Sequence, residues 1–198
     1  MKEKDEIKSN IMAAALIEFG INGYRHASTN NIHRIAGIAK GTLFYYFKSK
    51  AKLYNTVLLY CLDEFIAAMK KAEIERFSSA EEKIAVLITK KMAFYRSHRY
   101  ESMILFEALT APPVELSVDF KQSLQSLNVF NIENLLENID LSDFSPEYGK
   151  DEIIRFINYG TAGLQSVLFA KTIDWDNLYY YTEESLKFIK TILKGMKK

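Results

Sequence analysis

An all-α fold is predicted by three observations. Of the 198 residues, 48% are hydrophobic, which is ample for a sizeable core. Only three prolines and eight glycines punctuate the chain. Helix formers such as Ala, Leu, Ile, Lys and Glu run throughout, without the period-two alternation of half-buried strands. The apolar spacing divides into a three-helix head at 1–48 that closes on a helix-turn-helix, and a larger antiparallel helical bundle at 49–198.

The first helix is expected from about Lys4 to Ile21, because Ile7, Ile11, Ala15 and Phe19 form one stripe that ends before Asn22-Gly23. Lys2, Lys4 and Lys8 precede or open it and could graze a phosphate backbone, although a short charged tail is usually only solvated. Ser28 is a good N-cap for a second, two-turn helix carrying Ile32, Ile35 and Ala36, which Gly37 ends. After Gly37-Ile38-Ala39 a third short helix starts at Lys40, with Leu43 and Phe47 on one face and Thr42, Tyr45 and Tyr46 on the other. Two short helices around a tight glycine turn make a helix-turn-helix.

The outward residues of that third helix suit a DNA groove. Lys40 and the N–H groups of the helix start can hold phosphates, and Gly41 permits close backbone approach. Thr42 offers a hydroxyl and a methyl to base edges, while Tyr45 and Tyr46 carry hydroxyls that reach phosphate oxygens. Lys50 stands in the first turn of the next helix, behind the candidate N-cap Ser49, where the helix dipole attracts an anion. The plainer alternative is a solvated polar face on a small helical core.

Beyond the head, Leu53, Val57, Cys61, Phe65 and Met69 recur every four residues and predict a helix from Ser49 to about Ile74. Ser78-Ser79 opens the next, with Ile84, Leu87, Ile88, Met92 and Tyr95 on one side and an end near His98. A short apolar helix from Met103 to Ala111 is stopped by Pro112-Pro113. A long helix is expected from Val114 to Ile139. Ser145-Pro146 reads as a helix start with Pro in the first position, running to Ala170 past a small patch of Gly160, Ala162 and Gly163. The last helix is expected from Asp176 to Lys197.

Ile11, Ala14, Ala15, Phe19, Gly23, Tyr24, Ile32 and the run AGIAKGTLFYYFKSKAKLY from Ala36 to Tyr54 resemble the N-terminal domain of TetR-family transcriptional regulators. The resemblance implies that Lys40, Gly41, Thr42, Tyr45, Tyr46 and Lys50, with Thr29 at the start of the preceding helix, contact double-stranded operator DNA. It also implies that the last two helices pair with their copies in a homodimer, which here would use Phe156, Gly160, Gly163, Val167, Leu186, Ile189 and Leu193. The segments that line the effector pocket in such proteins carry Met92, Tyr95, Met103, Phe106, Glu107, Phe120 and Phe130, a stock suited to a small lipophilic ligand. An inward Glu107 without a partner would favour a cation; the alternative is a carboxylate facing solvent or pairing with Lys or Arg.

Three positions depart from the family pattern. His33 stands where Ala usually allows close helix packing, so it must bend outward or widen the crossing. Asn31 replaces the acidic partner of a capping box with Ser28, and Ala39 replaces a capping Ser. Each lost cap is worth on the order of 1 kcal/mol, so a recognition helix held loosely until DNA binds is expected.

Charge supports the same reading. Residues 1–60 hold nine Lys or Arg against four Asp or Glu, and residues 61–198 hold seventeen against twenty-one, which places +5 on the N-terminal sixty residues and −4 on the rest. Cys61 is the only cysteine, so no intrachain disulfide can form. No apolar run reaches the roughly 18 residues that span a membrane, and a cytoplasmic protein is expected. Catalytic signatures are missing: no HExxH, phosphate loop or cysteine cluster occurs, and His26, His33 and His98 lack Glu three residues upstream. No enzyme activity, cofactor or metal is expected. The expected function is a ligand-responsive regulator, most simply a repressor, that binds a palindromic operator as a homodimer and is released by a lipophilic effector. The alternatives are an all-α small-molecule-binding protein or enzyme without an operator, and a DNA-binding regulator controlled by a partner protein.

Overall fold

A computed structural model of the chain describes residues 2–70, 76–77, 79–114, 141–170 and 178–198. Among these residues the fold is all-α: α1 (Lys2–His26), α2 (Thr29–Ile35), α3 (Lys40–Phe47), α4 (Lys50–Lys70), α5 (Ala80–Ser97), α6 (Arg99–Thr110), α7 (Lys150–Ala170) and α8 (Leu178–Gly195). No strand occurs among the described residues, and a single antiparallel bridge pairs Phe144 with Lys197. The chain forms two compact units, one of Met1–Phe65 with His98–Gln125 and one of Ile66–Ser97 with Ser126–Lys198; the first division falls within α4.

In the first unit α1 packs on α2 and α6, and α2 packs on α3. Its core is Ile11, Phe19, Ile32, Leu43, Leu53 and Tyr54, all fully buried. All but Tyr54 are inward positions that the helical spacing marks, and their burial is what holds helices as short as α2 and α3, which would not persist alone in water. α1 is interrupted at Gly23, whose φ of 65° and ψ of 172° lie in a region open essentially to glycine alone. Gly20 lets α6 approach closely, since a Cβ there would stand 2.8 Å from Tyr100 Cβ.

In the second unit α8 packs on both α5 and α7. Ile84 of α5, Ile153 and Ile157 of α7, and Ile189 and Leu193 of α8 are buried. A Cβ on Gly160 would meet Phe188 Cε1 at 2.6 Å and Ile192 Cδ1 at 2.9 Å, so this glycine serves the α7–α8 crossing within one chain. Close packing of that kind offsets the roughly 1 kcal/mol that a mid-helix glycine costs.

Several boundaries differ from the sequence reading. α6 begins at Arg99 rather than Met103, because His98 O accepts from Ser102 N at 2.9 Å and opens the helix four residues earlier. α7 begins at Lys150, not at Pro146. Ser145 N donates to Met196 O at 2.9 Å and Tyr148 N to Ser145 O at 3.0 Å, so a turn occupies 145–148. Gly149 then starts the helix, and its N–H donates to Glu152 Oε2 at 3.2 Å, one half of a capping box. The expected helix over 114–139 with Phe120 and Phe130, the end of the α4 pattern at Ile74, and the expected start of the last helix at Asp176 lie outside the described residues.

Candidate nucleic-acid interface

Burial of Leu43 and Phe47 fixes which face of α3 points outward. That face presents Lys40, Gly41 and Tyr45 in the open, with Thr42 and Tyr46 half-buried beside them. Tyr45 is 65% exposed, and its ring meets that of Tyr46 edge-on at 5.3 Å. Nothing lies within 4 Å of a Cβ built on Gly41, which leaves the backbone open to a large partner. Ala39 gives α3 no side-chain cap, and while Thr42 N donates to Ala39 O at 3.0 Å, the N–H groups of Lys40 and Gly41 at the helix start are placed to donate to a phosphate.

The turn ahead of α3 is well tied. Gly37 has φ 67°, Gly37 N donates to Arg34 O at 3.2 Å and Ile38 N to His33 O at 3.0 Å. His33 does not swing fully into solvent. Its half-buried ring reaches along the turn, Nδ1 lies 3.2 Å from Ile38 O, and a bond there requires the proton on Nδ1.

The missing capping box of α2 has a substitute from α1. Ser28 N donates to Glu18 Oε1 at 2.8 Å, and Asn31 Nδ2 lies 3.5 Å from the same oxygen. Glu18 is 5% exposed, and a carboxylate at a helix start also opposes the positive end of its dipole. Thr29, the first residue of α2, is half-buried next to this cap.

Lys50 is positioned by the last turn of α1. Its Nζ lies 3.3 Å from Arg25 O and 4.8 Å from the centroid of the Tyr24 ring. Behind it Phe19, Tyr24 and Tyr54 form an aromatic cluster, with the Tyr54 ring edge-on to both others at 4.9 Å. Glu107 of α6 closes this cluster. Its Oε1 and Oε2 accept from Tyr24 N at 2.9 and 3.0 Å, and Oε2 also accepts from Tyr54 Oη at 2.9 Å. Burial first, and the Glu107 charge second, raise the Tyr54 phenol well above its ordinary pKa. The expectation of an inward Glu107 that lacks a partner is corrected: the carboxylate is inward but compensated by hydroxyl and backbone donors, and so exerts no unmet demand for a cation.

One cation was missed in the sequence. Lys48 follows α3 with φ 61°, donates from Nζ to Tyr45 O at 2.9 Å and stands 5.2 Å from the Tyr45 ring centroid. It shields the carbonyl end of α3 and adds positive charge beside Tyr45. The spacing Tyr-x-x-Lys at a helix end was the available signal.

The remaining expected residues divide between the units. Met103, Phe106 and Glu107 are half-buried in the first; Met92 and Tyr95 are buried in the second. On α7 and α8, Ile189 and Leu193 are 3% and 0% exposed and belong to the core of their own chain, not to its surface. Gly160 faces Phe188 and Ile192, and Leu186 is half-buried. Phe156, Tyr159 and Gly163, spaced i, i+3, i+7, form an exposed stripe on α7, while Tyr179, Tyr180 and Phe188 are exposed on α8. The Val167 side chain lies outside the described residues. Among the described residues no His, Cys, Asp and Glu cluster could hold a metal, and no helix is long and apolar enough to cross a membrane.

Residues 11–57 match the family described as bacterial regulatory proteins, tetR family. The "Fatty acid metabolism regulator protein" of Bacillus subtilis is 26% identical over 132 residues, covering 66% of this chain and 68% of that protein. The regulator RutR of Escherichia coli is 40% identical over 63 residues, 32% of this chain and 30% of RutR. Among solved structures, FadR of Bacillus subtilis in complex with stearoyl-CoA superimposes with a TM-score of 0.70 at 20% identity, over 96% of this chain and 99% of that one. A TetR-family protein of Shewanella sp. PV-4 gives 0.64 at 20% identity, over 97% and 98%. The outward face of α3, the glycine turn before it and these matches agree: residues 11–57 form a DNA-binding head of the tetR family of bacterial regulatory proteins, and the whole chain shares the fold of solved TetR-family structures.

Proposed function

We propose that this regulator is a repressor that binds a palindromic operator as a homodimer and leaves it when a small lipophilic effector binds residues 49–198. The observation that carries the reading is the face of α3: an uncapped helix start, an unobstructed Gly41, Lys40 and Tyr45 exposed, and Thr42 between them. Thr29, Lys40, Tyr45, Tyr46 and Lys50 hold the backbone of the duplex, and Thr42 meets base edges. A single eight-residue helix reads too few base pairs to be selective, so two copies related by a two-fold axis are required. The exposed stripe of Phe156, Tyr159 and Gly163, with Phe188 and Tyr180 of α8, is the surface we assign to that pairing.

A lipophilic effector is supported by Met92 and Tyr95, apolar and buried in the second unit, and by the likeness to FadR, which holds stearoyl-CoA. An effector releases DNA only in so far as it binds the DNA-incompetent arrangement more tightly. The test is a gel-shift titration of the full-length protein on fragments from its own promoter region, with and without lipophilic compounds. Salt-sensitive retention relieved by one such compound is the expected result; affinity indifferent to every compound would leave a regulator governed by other means.

A further inference from the structure

We infer that Glu107 is a positioning residue for DNA binding: from α6 it holds the Lys50 ammonium in place for a phosphate, acting through the last turn of α1 and through Tyr54. This rests on the reading of Lys50 as a phosphate contact and adds the residue that delivers it.

The last turn of α1 carries the effect. The helix is broken at Gly23, so Tyr24, Arg25 and His26 make a turn of their own, closed by the bond from Ala27 N to Gly23 O at 3.1 Å. A turn that starts afresh leaves the N–H of its first residue in need of an acceptor. Here that group is Tyr24 N, and both Glu107 oxygens take it, at 2.9 and 3.0 Å. The carboxylate stands where a side chain at position 23 would go, 2.7 Å from a Cβ built there, so glycine at 23 serves the approach of Glu107 as well as the positive φ. At the other end of the same turn Arg25 O accepts from Lys50 Nζ at 3.3 Å, and the ammonium lies 4.8 Å from the centroid of the Tyr24 ring. One short turn thus has the Glu107 carboxylate at its N–H end and Lys50 at its carbonyl end.

The contacts close into a cycle. Tyr54 follows Lys50 by four residues, on the same face of α4. Its ring meets the Tyr24 ring at 4.9 Å, and its hydroxyl donates to Glu107 Oε2 at 2.9 Å. Glu107 therefore fixes both partners of the Lys50–Tyr24 contact, α1 through the Tyr24 N–H and α4 through the Tyr54 hydroxyl. What this gives to binding is preorganisation. A lysine stem is flexible, and ordering it against a phosphate costs free energy at the moment of binding. Arg25 O takes one of the three ammonium protons at an exposed position, which leaves two for a phosphate oxygen.

The experiment is a double-variant cycle on the full-length protein, with a duplex that the natural chain selects from its own genome. Glu107→Ala should weaken binding roughly two- to tenfold, the scale of leaving one long side chain unordered. In a chain that already carries Lys50→Ala it should cost almost nothing further, because the carboxylate acts on DNA only through that ammonium. Glu107→Gln keeps the volume and one acceptor; it should lose less than Glu107→Ala, be equally silent beside Lys50→Ala, and carry the test should the alanine chain fail to fold. On the natural chain without DNA, acylation mapped by mass spectrometry should modify Lys50 more slowly than the exposed Lys52, and the Glu107 variants should close that gap. A merely structural Glu107 would give losses that add in full to those of Lys50→Ala, and a Lys50 reactivity indifferent to Glu107. Either result, or Lys50 reacting as fast as Lys52 on the natural chain, would overturn the inference and leave Lys50 as a phosphate contact. Should Lys50→Ala by itself leave affinity unchanged, the reading of Lys50 would fall and the inference with it.

Discussion

Tyr54 Oη donates to Glu107 Oε2 at 2.9 Å across 53 residues of sequence, and the same carboxylate accepts from Tyr24 N. The bond joins α6 to the aromatic cluster that supports Lys50. Tyr54→Phe keeps the ring and removes the donor, so unfolding in urea should show a loss of about 1.5–3 kcal/mol, the range for a hydrogen bond to a charged group. Glu107→Ala strands the Tyr54 hydroxyl and the Tyr24 N–H together and should cost more. The double variant should lose less than the sum of the two, since both changes remove the same bond.

Gly23→Ala should destabilise the same place by a different route. A Cβ there meets Glu107 Oε1 at 2.7 Å, on a backbone with φ 65°. Backbone strain alone costs on the order of 1–3 kcal/mol, and Glu107 must shift as well. A thermal midpoint unchanged from the natural chain would contradict both the backbone strain and the Glu107 contact.

The head of this protein was legible because its signals are local. Ser49 Oγ accepts from Lys52 N at 3.1 Å as an N-cap should, Gly37 takes the left-handed turn, and Leu43 and Phe47 point inward. What stayed hidden depends on distant partners. Glu18 caps α2 from ten residues away, Glu107 meets a backbone N–H 83 residues earlier, and Ser145 is held by Met196, so that Pro146 enters a turn and not a helix.

The two glycines of α7 should behave oppositely. Gly160→Ala forces a Cβ against Phe188 and Ile192 within one chain and should lower stability by about 1–3 kcal/mol. Gly163 has nothing within 4 Å of its Cβ position, so Gly163→Leu should leave the fold intact but weaken the dimer, read by light scattering and circular dichroism together. A dimer unaffected by Gly163→Leu would move the pairing surface away from this stripe.

Lys91 also sets a dependence on pH. Its folded pKa, about 8, lies below the ordinary 10.5, so between these values the unfolded chain binds more protons and stability rises with pH. Lys91→Met removes this term. The advantage of Lys91→Met over the natural chain in denaturant should therefore shrink from pH 7 towards pH 9.5. Measurements stay below pH 10, where tyrosine ionisation in the unfolded chain acts in the opposite sense on Tyr54. A constant difference across the range would mean that Lys91 titrates normally.

Within the recognition helix the roles of side chains separate by salt and sequence. Lys40→Ala and Lys50→Ala should weaken binding to all duplexes and flatten the log-log salt dependence by up to roughly 0.9 per lost phosphate contact. Thr42→Ala should relax preference at one base pair, costing about 1–3 kcal/mol against the natural base. Equal, sequence-independent losses from all three would remove Thr42 from base reading.

The most direct measurement is hydroxyl-radical footprinting of the full-length protein on a duplex selected from its own genome, at two salt concentrations. Two protected patches on each strand, related by a two-fold axis, with half-sites about 34 Å apart or somewhat more and protection that fades with salt, are the predicted result. A single unpaired patch, or no salt-sensitive protection of any duplex, would contradict the account of α3 as the reading element of a two-fold dimer.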